Sequence, residues 1–136
     1  MRNSLLVVVL AALIGLVCTA AAPAATGPGN QQAGIVAALN ATFPDVRSKV
    51  TYQGIKITSV PDKVWAIAYV NPKPAYQATI QSFYAVLIKI PNRQSKYYWV
   101  VADFGNAYVG CGVASLQVVR DLTGTRNPCP PGAFES

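Results

Sequence analysis

The chain has no histidine and few charges, with eleven Lys/Arg and five Asp/Glu among 136 residues. Without imidazole it lacks the side chain that most often moves protons or activates a nucleophile near neutral pH. His-based catalytic dyads and triads are excluded, and so are the His-containing zinc sites. Cysteine is scarce too, at Cys18, Cys111 and Cys129 only. There is no internal repeat, and the charges stand singly with no run of one sign, which argues against a nucleic-acid partner. What is present is a mildly basic chain, of net charge +6, that is half hydrophobic.

The front of the chain points to a compartment. Met1-Arg2-Asn3 is a short positive segment, residues 5–17 are an apolar run, and Thr19-Ala20-Ala21-Ala22-Pro23-Ala24-Ala25 is rich in small residues. These are the three parts of a secretory signal peptide. Ala22-Pro23-Ala24 fits the small-x-small rule, so cleavage is expected before Ala25, with a cut after Ala21 as the alternative. The apolar run is shorter than the ~20 residues that span a bilayer, and no basic stop-transfer cluster follows it. No permanent membrane anchor is expected. A lipoprotein would need a small residue before Cys18, and Val17 is large and branched, so Cys18 is expected to leave with the signal.

Three segments follow from this: a signal peptide over 1–24, a Gly/Pro/Gln-rich mobile lead over 25–32, and a single domain over 33–136. Some 110 mature residues suit one ordinary domain. Ten Lys/Arg then face Asp45, Asp62, Asp103, Asp121 and Glu135, a net charge of +5, which favours anionic surfaces such as envelope polymers. Two cysteines in an exported chain read as a disulfide. Cys111–Cys129 would close a loop of about 18 residues, contributing roughly 3 kcal/mol by chain entropy. The spacing is unlike C-x-x-C, so the bond is expected to be a structural staple.

Hydrophobic periodicity supplies the elements. Ile35, Val36, Leu39 and Phe43 have helical spacing over residues 31–43, ended by Pro44. Residues 49–60 alternate as a strand whose parity changes at Gly54, as a β-bulge would require. Val64-Trp65-Ala66-Ile67-Ala68-Tyr69-Val70 is apolar at nearly every position, the mark of a central strand covered on both faces. Residues 83–90 and 97–104 read as a hairpin about 91–95. Val113, Leu116, Val119 and Leu122 predict a short last helix with Gly124 as its C-cap. The order predicts an α+β fold: a three- to four-stranded antiparallel sheet, an N-terminal helix, and a short C-terminal helix tethered by the disulfide. The helices are expected on one face of the sheet.

From Trp65 onward a pattern of punctuation recurs: Trp65-Ala66, then Phe83-Tyr84-Ala85-Val86-Leu87, then Trp99-Val100-Val101 with Gly105, and Cys111, Val118, Leu122 and Cys129-Pro130. In this the chain resembles small exported actinobacterial proteins of uncharacterised function, over roughly its last 70 residues. Those proteins often carry proline near Ala114, where this chain departs. The resemblance implies an exported, disulfide-tethered domain and supplies no activity and no catalytic residues.

Motifs that suggest catalysis lack their companions. Asp103-Phe104-Gly105 spells a kinase metal-binding triplet, but the glycine-rich loop, strand lysine and catalytic-loop aspartate that give it meaning are missing. Asp103 is expected to serve a turn. Ser48-Lys49 and Ser95-Lys96 are neighbours in sequence and so point to opposite faces of a strand. Asn40-Ala41-Thr42 matches a glycosylation sequon but falls on a helix. Asp62 and Asp103 are candidates for acid–base chemistry by two carboxylates, yet both sit next to turn signals and nothing in the sequence indicates that they converge. No metal site and no cofactor are expected.

Aromatic residues are the stronger lead. Tyr97-Tyr98-Trp99 follows Arg93 and Lys96, and such groups are enriched at recognition surfaces. Arg93, Lys96, Tyr98 and Trp99 form one candidate binding face, and Lys73 with Tyr76 a second rim. The same aromatics could instead fill the core and the cross-strand ladder. The expected function is a secreted, non-enzymatic domain, extracellular or cell-wall associated, that binds a protein or an anionic envelope component. Its rivals are a secreted hydrolase inhibitor, inserting the loop at 71–75 or 91–95, and an enzyme built on carboxylates.

Overall fold

The computed structural model describes residues 28–61, 63–91 and 97–133. The expected signal peptide lies outside the described residues, as do Asp62, Arg93 and Lys96. Helix α1 (Pro28–Thr42) leads into strands β1 (Val50–Val60), β2 (Lys63–Pro72), β3 (Phe83–Pro91) and β4 (Tyr97–Gly105), and helix α2 (Leu116–Thr123) follows. A single 3-10 turn, Pro74–Tyr76, interrupts the connection between β2 and β3. The strands form one antiparallel sheet in the order β1-β2-β3-β4, and Cys111 is bonded to Cys129. This is the expected α+β architecture with its disulfide tether. No helix among the described residues is long and apolar enough to cross a membrane.

One expectation is overturned: the helices lie on opposite faces of the sheet. Ile35 and Leu39 of α1 pack on Ala66, Ala68, Val70, Ala85, Leu87 and Trp99. Val118, Val119 and Leu122 of α2 pack on Trp65, Ile67 and Val86. Residues 66, 68 and 70 alternate with 65 and 67, so the two clusters occupy the two sides of β2. The continuous apolar run of β2 is the cause. A strand with apolar side chains on both faces needs a cover on each.

On the α1 face, alanines at 66, 68 and 85 keep the sheet low, and Ile35 and Leu39 are completely buried there. Full burial of each such side chain contributes roughly 1.5–3 kcal/mol. The helix rests directly on Trp99: a Cβ added at Gly34 would stand 2.9 Å from the indole Cδ1. At the helix end, Phe43 packs edge-on against Phe83 and Phe104, with ring centroids 5.1 Å away in both cases. α1 begins at Pro28, inside the segment read as a mobile lead. Proline suits a first helical turn because its missing N–H would have no partner there in any case.

The parity change in β1 is a bulge. Its register with β2 shifts between Gln53 and Lys56, and Gly54 takes φ +57°, the left-handed value that this kind of bulge assigns to glycine. The extra residue returns Ile55 to the side of Val50 and Tyr52, against the α1 core. A second, unexpected shift lies in β4. There Val86 pairs with Asp103 and Leu87 with Val101, leaving Ala102 without a cross-strand partner.

α2 is capped at both ends. The Ser115 hydroxyl accepts from the Val118 N–H at 3.4 Å, and the Gly124 N–H donates to the Arg120 carbonyl at 2.8 Å. Ser115 stops the helix from reaching back to Val113, which lies before it and is 47% exposed. Val118, absent from the predicted stripe, is buried instead.

Candidate functional site

The two helices cover their faces unequally. α2 has eight residues, about 12 Å of helix, whereas the ten residues of β2 run for about 33 Å. It packs on β1 and β2 and leaves the Tyr69 and Tyr84 end of that face open. Tyr69 and Tyr84 are direct cross-strand partners, with ring centroids 4.9 Å apart and planes tilted by 43°. Tyr84 is 44% exposed. Its neighbour on β4 is Gly105, which has no side chain to shield the ring.

These rings floor a trough. One hollow, of about 760 Å³, is bounded by Gln53 and Lys56 of β1, the 106–109 loop, and the segment after α2 that includes Thr125, Asn127 and Pro128. A second, of about 380 Å³, runs on past Tyr84 to Gln81 and Ser82. The two hollows share Tyr69, Tyr84 and Asn106. The larger falls within the ~300–1,000 Å³ common for ligand sites.

The 106–110 loop is built with care around Tyr108. Asp103 accepts from the Phe104 N–H at 2.9 Å and from the Gly110 N–H at 2.7 Å. The Cys111 N–H donates to the Tyr108 carbonyl at 3.1 Å. Tyr108 is the one non-glycine residue with positive φ, +54°, among the described residues, and it is 61% exposed. Such a conformation persists only where the surroundings enforce it. The Cys111–Cys129 bond lies just behind, joining the loop that carries Tyr108 to the segment that carries Asn127 and Pro128. The disulfide therefore ties together two of the segments that bound the trough.

Chemically, the described lining combines three tyrosines with polar and aliphatic side chains, and among the described residues it holds one formal charge, Lys56, and no carboxylate. Among the described residues, the side chains of Lys56, Asn106 and Asn127 have no hydrogen-bond partner. No group of three or more metal-ligating side chains occurs among the described residues.

Those of the residues singled out from sequence that are described are dispersed. Trp99 is buried beneath α1, whereas Tyr98 is 46% exposed on the other face, toward the opposite end of β4 from Gly105. Strand alternation separates them, so they share no surface. The Lys89 ammonium stands 5.9 Å from the Trp99 ring. Lys73 donates from Nζ to the Ser48 carbonyl at 2.7 Å, and Tyr76 lies 5.8 Å beneath the Lys49 ammonium. Lys73 and Tyr76 thus secure the connection after β2 to the start of β1. Asp103 has the turn role expected of it. Tyr69, Tyr84, Tyr108 and Lys56 were not distinguished by any local sequence signal.

Comparison of the chain with protein families, with curated proteins and with solved structures finds no match.

Proposed function

We propose that this protein is an exported, non-enzymatic binding domain, and that the tyrosine-floored trough is where it holds a component of the cell envelope. The observation that carries the proposal is the pairing of Tyr69 and Tyr84 on a partly uncovered sheet face, with Tyr108, held in a strained conformation, lining the same hollow. Export is read from the signal-like residues 1–24. A disulfide between Cys111 and Cys129 suits an oxidising compartment. The basic balance of the chain favours an anionic partner. Among the described residues the trough lining holds no carboxylate, and the chain has no imidazole, to serve as a general base. The inhibitor reading has less behind it, since Lys73 in the 71–75 loop is engaged with Ser48.

Retention of the secreted protein on isolated envelope material from the producing cell tests the proposal. Wild type should be retained above a charge-matched control protein, and Tyr84→Ala should be largely lost to the supernatant. Equal behaviour of wild type and the control would end the proposal.

A further inference from the structure

Resting on the reading of the trough as the binding site, we infer that its ligand is an acidic saccharide chain. The sugar ring stacks on Tyr84, and its carboxylate or phosphate turns toward Lys56. The two hollows meet at Tyr69, Tyr84 and Asn106, which makes the site elongated and suits a chain of linked rings better than one compact molecule. A pyranose presents one face of C–H bonds and a rim of hydroxyls. The first matches an exposed tyrosine ring, and the second needs groups that both donate and accept. Carboxamides do both, and those of Asn106 and Asn127 have no partner among the described residues.

Other ligand classes fit less well. An extended peptide is usually held by the backbone of a sheet edge, whereas this floor is the face of the two central strands, β2 and β3. A nucleic acid demands several cations along its backbone, and the described lining residues supply one. With Lys56 as the one formal charge among its described lining residues, the trough favours a sugar carrying an isolated anionic group. Lys56 also has a structural explanation. Its ammonium lies 3.9 Å from where a Cβ on Gly124 would be, close to the C-terminus of α2, where the helix dipole favours a cation. The test must separate the two roles.

The probes are a uronic acid oligomer and a neutral N-acetylhexosamine oligomer, titrated into the secreted protein and followed by amide chemical shifts. The acidic oligomer should bind more tightly, with shifts centred on Tyr84, Asn106 and Tyr108. Tyr84→Ala should weaken both oligomers about tenfold, as loss of a stacking anchor does. Lys56→Gln should weaken the acidic one alone, by roughly threefold to fivefold, and should reduce its salt dependence. A purely structural Lys56 would alter melting and leave that selectivity intact. Equal affinity for the two oligomers overturns the acidic part of the inference. If neither oligomer shifts the trough while Tyr84 still governs envelope retention, the saccharide inference is overturned and the binding site stands. If Tyr84 governs neither, both fall.

Discussion

Reduction of the Cys111–Cys129 bond perturbs the fold and the trough together. The cysteines are 18 residues apart, and closing a loop of that length removes about 3 kcal/mol of conformational entropy from the unfolded chain. Small domains hold ~5–15 kcal/mol in all, so the reduced protein should remain folded with a much smaller margin. For a domain of this size the loss corresponds to a melting temperature lower by roughly 10–20 °C. Circular dichroism of oxidised and reduced protein at one pH measures it, with thiol titration confirming reduction. The Cys111→Ala/Cys129→Ala variant should melt somewhat lower still, because Cys111 is 5% exposed and packs in the α2 core. Binding should suffer beyond the change in folded fraction, since the bond holds the Tyr108 loop against the Asn127 segment and preorganised walls lose less entropy on binding. If complete reduction left the melting temperature unchanged, the staple argument would be wrong. If it left envelope retention unchanged below the melting range, the preorganisation argument would be.

Three further substitutions probe separate parts of the structure. Asp103→Ala leaves the Gly110 N–H without its 2.7 Å acceptor and should cost about 2 kcal/mol in urea unfolding, with a loss of envelope binding as the Tyr108 loop loosens. Gly34→Ala should gain about 1 kcal/mol in helix propensity but lose roughly 1–3 kcal/mol to overpacking against Trp99. A net destabilisation is expected, and a raised melting temperature would contradict the close approach of α1 to the indole. Tyr52 donates to Asn40 Oδ1 at 2.9 Å, and burial raises its phenol above the usual 10.0. The folded state therefore holds this proton more tightly than the unfolded chain, so the stabilisation is full below pH 10.0 and is lost as pH rises through the folded value. Tyr52→Phe should be about 1 kcal/mol less stable than wild type at neutral pH, a gap that narrows in alkaline unfolding titrations.

Most of the architecture was legible because it rests on local signals. Gly54 at the parity change announced its bulge, the Ala-rich apolar run announced a strand covered on both sides, and Gly124 announced the end of α2. The placement of the helices was the exception. Segregated helices suggested a common face, yet the doubly apolar β2 already implied that both faces were covered, and that stronger constraint decides the outcome. Val113 was misjudged for a similar reason. It fits a helical stripe, but Ser115 can cap the Val118 N–H and so begins the helix after it.

The trough was illegible because its existence depends on relations between distant segments. Nothing in Val64-Trp65-Ala66-Ile67-Ala68-Tyr69-Val70 marks Tyr69 as different from Trp65, and both sit on the same face of β2. Trp65 is buried in the cluster that α2 forms with β2, whereas Tyr69 lies outside that cluster and lines the trough. Pairing with Tyr84 follows from the β2–β3 register, set across a long connection that no hairpin motif specifies. The cluster of Tyr97-Tyr98-Trp99 drew attention by adjacency, but adjacent residues on a strand face apart, so a run of aromatics divides between core and surface. A binding face on a sheet is instead made of cross-strand partners, here Tyr69 and Tyr84, that a covering helix fails to reach. If so, extending α2 by designed apolar residues over Tyr69 should stabilise the fold and abolish binding at once. A gain in melting temperature with envelope retention intact would show that the open face is not where the partner sits.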